Sequence, residues 1–470
     1  MGRSTESLSR WEDGEVEGEQ SLDEPRSARP RIAIIGAGVS GLAAAEALEE
    51  TGVFDITLIE ARNRVGGRIQ TERVGNGFYD LGGQDFLEED GIDISLLQYC
   101  EDKGLSRVKK SVVAQLYNKY GPVRSDSKRA GQRWYQELHA EILRKQIAIQ
   151  NFEEPDKPLD AVINEFLETS LLPSRERRML AWFTKMMETQ TLGEAKNVSS
   201  KYWDWAMIQS GLSEKSGLQN CFGDLVNCLA MRKKILMGVN VQAVTYTGDA
   251  GVKIVADDNM ELYVDRCIVA VPVSVLAAGD LKFSPPLPDR KISAMNAIGT
   301  CTLNKVFLEF SERFWSEGDS HFAFIDGELI KGMASTSHRF YLFESLWEST
   351  RTSSLLAYSF GADAESQELL SDQELGDAVV NVLSNMFARE RIKVVRVKAS
   401  KWNSDTLARG SFPFVPVNGS PEDFNIMSDP VAKRIFFAGD GTTTLFPGSV
   451  RGAFASGKRE AEKIVELYNG

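Results

Sequence analysis

Gly36-Ala37-Gly38-Val39-Ser40-Gly41 stands between the apolar run Ile32 to Ile35 and an Ala/Leu-rich segment from about Gly41 to Glu50. A second apolar run, Ile56 to Ile59, ends in Glu60. The order is strand, glycine turn, helix, strand, the βαβ unit whose natural product is a parallel sheet. In such a GxGxxG turn the first glycine allows the sharp reversal and the second lets backbone approach a pyrophosphate. The third lets helix and strand pack closely, with the helix N-terminus facing the negative charge. Glu60 follows Gly41 by 19 residues, where a carboxylate can accept hydrogen bonds from a ribose diol. An adenine dinucleotide is therefore expected in the turn, the alternative being a strand-end glutamate without a task.

On the N-terminal side, residues 1–29 carry eight acids and four arginines among Ser, Gly and Gln, the composition of a solvated acidic tail. No apolar segment there resembles a secretory signal, and its acids argue against a mitochondrial presequence, so a cytoplasmic location is expected. On the other side the texture turns helical from about Asp126 to Ala206, with Pro155, Pro158 and Pro173 as breaks. Strand signals return at Val239 to Val244, Val252 to Val255 and Cys267 to Val271, then near Lys305 to Phe310 and Leu355 to Phe360. A helix is expected near Asp372 to Phe387, and the buried-strand pattern Arg434 to Ala438 runs into a small-residue helix from about Ser449 to Tyr468.

The 470 residues hold 67 acids against 54 bases, a formal charge of −13, which makes nucleic acid a poor partner. No run of 18 apolar residues suggests a membrane span. Five scattered cysteines form neither a disulfide framework nor a CxxC pair, and three histidines are too few for a His-based metal site. No GxSxG elbow supports a hydrolase. The chemistry then falls to a bound cofactor.

Glu60-Ala61-Arg62-Asn63-Arg64-Val65-Gly66-Gly67-Arg68 continues directly from the strand-end acid. Its guanidinium groups and Gly-Gly turn suit a longer stretch of phosphate and ring than a simple nicotinamide dehydrogenase needs. With the later Phe437-Ala438-Gly439-Asp440, this segment resembles the FAD-binding pattern of the flavin amine oxidase superfamily. Asp80-Leu81-Gly82-Gly83 is similar to that family's turn beside the flavin, and Ala270-Val271-Pro272 to its Ala-x-Pro strand end. The resemblance spans about Arg31 to Leu467 and is nearest the polyamine oxidase branch, which includes the lysine-specific histone demethylases.

The resemblance implies an α/β fold: an FAD-binding Rossmann-like domain of glutathione-reductase type, interleaved with an α+β substrate-binding domain. Residues 30–90, 215–280 and 425–470 would form the FAD-binding domain. Residues 91–214 and 281–424 would form the substrate-binding domain with its helical part. No Cys follows Cys301 to tether a flavin as in monoamine oxidases, so FAD is expected to be non-covalent. Carried over residue by residue, the cofactor contacts are Gly36, Gly38, Ser40, Gly41, Glu60, Arg62, Gly67, Arg68, Gly82 and Gly83, then Val241, Trp402, Gly439, Asp440, Ser449 and Val450.

Lys305, in Leu303-Asn304-Lys305-Val306, sits inside an apolar strand, where an amine is costly to bury without a task or a partner. The resemblance makes it the catalytic residue, reaching the flavin through a water; the alternative is an edge-strand lysine with a solvated ammonium. Phe412 falls where the family places one wall of an aromatic cage, and Phe446, Ser449 and Glu88 complete the expected substrate contacts, Glu88 as an ammonium anchor. The pattern is broken at Asp85, Leu87, Ser449 and Arg451, which leaves the substrate open.

Three functions follow. The first is oxidation of a polyamine or acetylpolyamine, a small-molecule amine, with O2 reduced to H2O2. The second is another flavin chemistry on the same fold, such as an amino-acid oxidase, desaturase or unsaturated-acid isomerase; Arg451 is expected to face solvent or a phosphate, and facing the pocket instead it would suit a carboxylate. The third is a chromatin-binding role, although no long run of charged heptads offers the helical tower found in the demethylases.

Overall fold

The computed structural model describes residues 29–87, 95–110, 114–206, 215–246, 251–325 and 340–469. The β-branched run Arg31–Ile35 is the central strand of a five-stranded sheet. Across that sheet the strands run Ile235–Met237, Asp55–Glu60, Arg31–Ile35, Arg266–Val269 and Ile435–Phe437, all parallel. Its apolar residues are covered on both faces, as a sheet built from crossovers requires. Three distant parts of the chain therefore meet in one sheet.

Helix Val39–Glu50 lies on one face, crossed by the last helix, Val450–Asn469. Small residues permit that crossing: a Cβ on Gly457 would stand 2.1 Å from the Ser40 carbonyl oxygen. On the other face lies an antiparallel unit of Val241–Tyr246, Val252–Ala256 and Glu261–Val264, joined in parallel by Lys282–Ser284.

The second large sheet has seven strands, with Leu303–Phe310 and Ser354–Phe360 paired antiparallel near one side. Helices Ser125–Gln150, Leu159–Thr169 and Ser174–Thr191 contribute to the core on one face. Helix Asp372–Phe387, opened by a Ser371/Glu374 capping box, covers the other. The near-continuous apolar reading of Leu303–Phe310 follows from burial on both sides, and alternation sorts its side chains. Leu303 and Phe307 join the helical core, whereas Val306, Leu308 and Phe310 join the opposite one. Lys305 shares the parity of Leu303 and Phe307. It is 3% exposed in an interior strand, flanked by Ser354–Phe360 and Val394–Ala399, so it is no edge-strand lysine.

The fold is α/β, a five-stranded parallel sheet combined with an α+β part built on the seven-stranded sheet. The sequence reading places the helices well at Val39–Glu50, Asp372–Phe387 and Val450–Asn469. The helical texture expected from about Asp126 opens with the helix Ser125–Gln150.

Candidate active site

One cavity of about 1070 Å³ runs from the glycine turn to the seven-stranded sheet. At its dinucleotide end the wall includes Gly36, Gly38, Ser40, Glu60 and Arg62. Gly36 turns the chain with φ +102°, which favours glycine. A Cβ on Gly38 would meet nothing within 4 Å, so that backbone faces open space into which a ligand can approach. Gly41 does not line the cavity; a Cβ there would stand 1.9 Å from the Gly36 carbonyl oxygen, so it allows the turn and helix to meet. The buried Glu60 carboxylate accepts from the Ala37 and Arg62 backbone N–H groups, at 2.8 Å each. Those bonds orient it along the wall, and each oxygen keeps a second lone pair for a ribose hydroxyl. Arg62 is itself paired with Asp405 at 2.8 Å.

Further along, Gly67, Arg68, Gly82, Gly83 and Val241 reach the wall. Gly82 is forced by a close approach: a Cβ would sit 1.8 Å from the Arg68 carbonyl oxygen. Arg68 donates to Asp440 at 2.5 Å and to the Ser411 carbonyl at 2.8 Å, tying the early Gly-Gly-Arg turn to the late strand end. Gly439, with φ +142° and open space beside it, offers a second stretch of approachable backbone. Ser449 and Val450 stand on the wall where the last helix begins, and Ser449 accepts from the Gly452 N–H at 3.0 Å.

At the sheet end the wall carries Gln84, Asp85, Lys305, Tyr341, Tyr358 and Phe412. The Lys305 ammonium donates to the Asp80 carbonyl at 2.9 Å, to the Gly82 carbonyl at 2.7 Å and to Gln84 Oε1. Three acceptors meet its three protons, so the residue is clamped to the turn that precedes Gln84. Its neighbour Asn304 points the opposite way and accepts from the Trp402 backbone N–H at 3.1 Å. Trp402, on the wall and 4% exposed, donates its indole N–H to the Leu81 carbonyl at 3.3 Å. The Asn-Lys pair thus works in two directions, one residue to the cavity and one to the loop that bears the tryptophan.

Tyr341 and Tyr358, which the sequence reading missed, form a second aromatic wall with ring centroids 6.3 Å apart. Burial holds both phenols protonated well above the usual range, and the Asp85 charge adds to the effect. Tyr358 is opposite Lys305 in the register, so the two share one face of the sheet.

Three expectations are corrected, the first being the cofactor contact at Gly41, which instead packs the turn against the helix, off the cavity wall. Phe446 is not on the cavity wall; it is 1% exposed, with the Arg451 guanidinium 3.9 Å from its ring centroid. Arg451 is likewise buried, at 1% exposed, facing neither cavity nor solvent, because the first turn of the last helix points it inward. Glu88 lies outside the described residues.

Glycine backbone open to a ligand at Gly38 and Gly439, a fixed carboxylate at Glu60 and a buried lysine beside the Gly82-Gly83 turn together fit a flavin dinucleotide. The protein is thus a flavoprotein of the oxidoreductase class. The chain belongs to the flavin-containing amine oxidoreductases, whose sequence model matches residues 39–465. Its cofactor is FAD, held non-covalently; no cysteine stands among the described residues of the cavity wall.

Lysine-specific histone demethylase 1 homolog 1 of Arabidopsis thaliana is 31% identical over 93% of this chain and 52% of its own length. Human lysine-specific histone demethylase 2 is 26% identical over 92% of this chain and 53% of its own. The chain thus spans about half the length of these relatives. Among solved structures, wild-type putrescine oxidase bound to putrescine matches with TM-score 0.73 and 18% identity, covering 93% of this chain and 99% of that one. At that identity the likeness is one of fold.

Proposed function

We infer that the protein oxidises a cationic amine of polyamine type, removing hydride from a carbon next to nitrogen to give an imine that hydrolyses. The observation that carries this is Asp85, a carboxylate on the wall of the same cavity end as Lys305, Tyr341 and Tyr358. A carboxylate there attracts an ammonium, and the aromatic faces of Tyr341, Tyr358 and Phe412 favour a cation through their ring quadrupoles. FAD, when bound, accepts the hydride and passes the electrons to dioxygen, giving hydrogen peroxide. The protein's part is to hold the amine between these rings and to fix a cation, Lys305, at the turn beside the cofactor site. Arg451, which motivated an anionic substrate, lies off the wall.

The relatives' names support a second reading, in which the amine is a methylated lysine side chain in a peptide. Both readings use the same chemistry. Anaerobic mixing with spermine, N-acetylspermine and a methyl-lysine peptide separates them by which one bleaches the flavin absorbance. Bleaching by the small amines alone is the expected result; a flavin that none of them bleaches would sink the amine assignment.

A further inference from the structure

The strand register places Lys305 opposite Tyr358, Tyr358 opposite Leu342, and Leu356 opposite Glu344. Alternation then puts Lys305, Tyr358 and Glu344 on one face of the sheet. Gln84, on the loop that follows the Gly82-Gly83 turn, bridges all three. Its amide oxygen accepts from Lys305, while its NH2 group donates to Glu344 Oε2 at 2.9 Å and to Tyr358 Oη at 2.7 Å. Tyr358 also donates its phenol proton to Glu344 Oε2. Burial, with the Glu344 charge second, keeps that phenol protonated.

A carboxamide has an oxygen end and a nitrogen end of nearly the same shape, so its orientation is set by its partners. Lys305 can only donate and an ionised Glu344 can only accept, so Gln84 must turn its oxygen to the lysine. Take away the carboxylate and the amide can turn its NH2 toward the ammonium, donor against donor. Glu344 itself does not line the cavity.

We propose that Glu344 is a positioning residue: through Gln84 and Tyr358 it orients the carboxamide that holds the Lys305 ammonium at the cavity wall. The proposal rests on the placing of Lys305 beside the cofactor. The organised cation that results favours negative charge arriving on the neighbouring flavin. Glu344→Gln keeps the shape and removes the charge. Exchanging the two groups, Gln84→Glu with Glu344→Gln, keeps the net charge and gives Lys305 an acceptor that cannot turn its back.

The test is titration of purified FAD-loaded protein with sulfite, an anion that adds to oxidised flavin and is read from loss of visible absorbance. Glu344→Gln is expected to retain FAD and weaken sulfite binding about 10- to 100-fold, the scale of one hydrogen bond to a charged group. Tyr358→Phe should weaken it less, and the exchanged pair should restore it. Unchanged sulfite affinity in Glu344→Gln would overturn the proposal, as would a loss that the exchanged pair fails to recover. Should Glu344→Gln lose FAD, the comparison of Tyr358→Phe with the exchanged pair decides on the same terms. Sulfite needs no amine, so failure of the amine assignment would show separately, as a wild-type flavin that binds sulfite but no amine bleaches.

Discussion

Individual side chains divide the cavity into a dinucleotide end and a sheet end, the latter proposed for the amine. Asp85 is the anchor proposed for the ammonium, and it shares the cavity wall with Tyr341, Tyr358 and Phe412. Asp85→Asn keeps the size and removes the charge. It should raise KM for a cationic amine about 10- to 100-fold, the cost of losing one charge-assisted contact, with kcat changed far less. Steady-state kinetics by peroxide release check this, and a fall in kcat at constant KM would place Asp85 in the chemical step instead. Lys305 stood out in sequence because an amine inside an apolar run is anomalous. Gln84, Glu344 and Tyr358 carry no such anomaly. Each is an ordinary residue on an ordinary strand or turn, and they meet only through pairings between residues up to 274 positions apart.

Among the elements, the glycine turn shows two uses of the same residue type. Gly41 meets backbone, with the Gly36 carbonyl oxygen 1.9 Å from an added Cβ, while Gly38 meets nothing. Gly41→Ala should therefore destabilise the apoprotein itself, by roughly 1–3 kcal/mol as for other overpacked sites. Gly38→Ala should leave apoprotein stability nearly unchanged and weaken FAD binding. Urea unfolding with and without added FAD separates the two; equal loss of apoprotein stability in both variants would contradict the assignment. Both glycines were visible in the motif, but which one touches ligand follows from the helix packed against the turn. The strand Leu303–Phe310 teaches the same lesson, since its apolar run says that it is buried and its parity says which residues share a face.

On the scale of the molecule, residues near both ends of the described chain close one sheet, and Lys291 helps to lock the late part in place. The residue is 3% exposed, and its amine donates to the Ile426 and Met427 carbonyls at 2.7 and 2.9 Å and lies 4.2 Å from the Phe437 ring centroid. Burial pushes it down to about 8, against an ordinary value of 10.5. Between those values the unfolded chain binds more protons, so the wild type gains stability from this group as pH rises from about 8 toward 10.5. Below 8 the cost of burying the ammonium is fully present. Lys291→Met should therefore lose ground to the wild type by roughly 2 kcal/mol between pH 7 and pH 10. Denaturant unfolding of both proteins across that range tests it, and a difference that stays flat with pH would refute it.

The nucleotide-binding half was readable along the chain: glycine spacing, strand-end acid and flanking apolar runs are local, and the backbone geometry they impose has one common use. The sequence also marked Lys305, because burying an amine is expensive wherever it occurs. The sheet end of the cavity took shape only through the packing of distant segments. There, Asp85 lies with Tyr341 and Tyr358 on one cavity wall, Glu344 stands behind Gln84, and Arg451 and Phe446 turn inward. Such placements depend on strand register and helix crossing, which are set by packing between segments far apart in the chain, and no single segment carries that information.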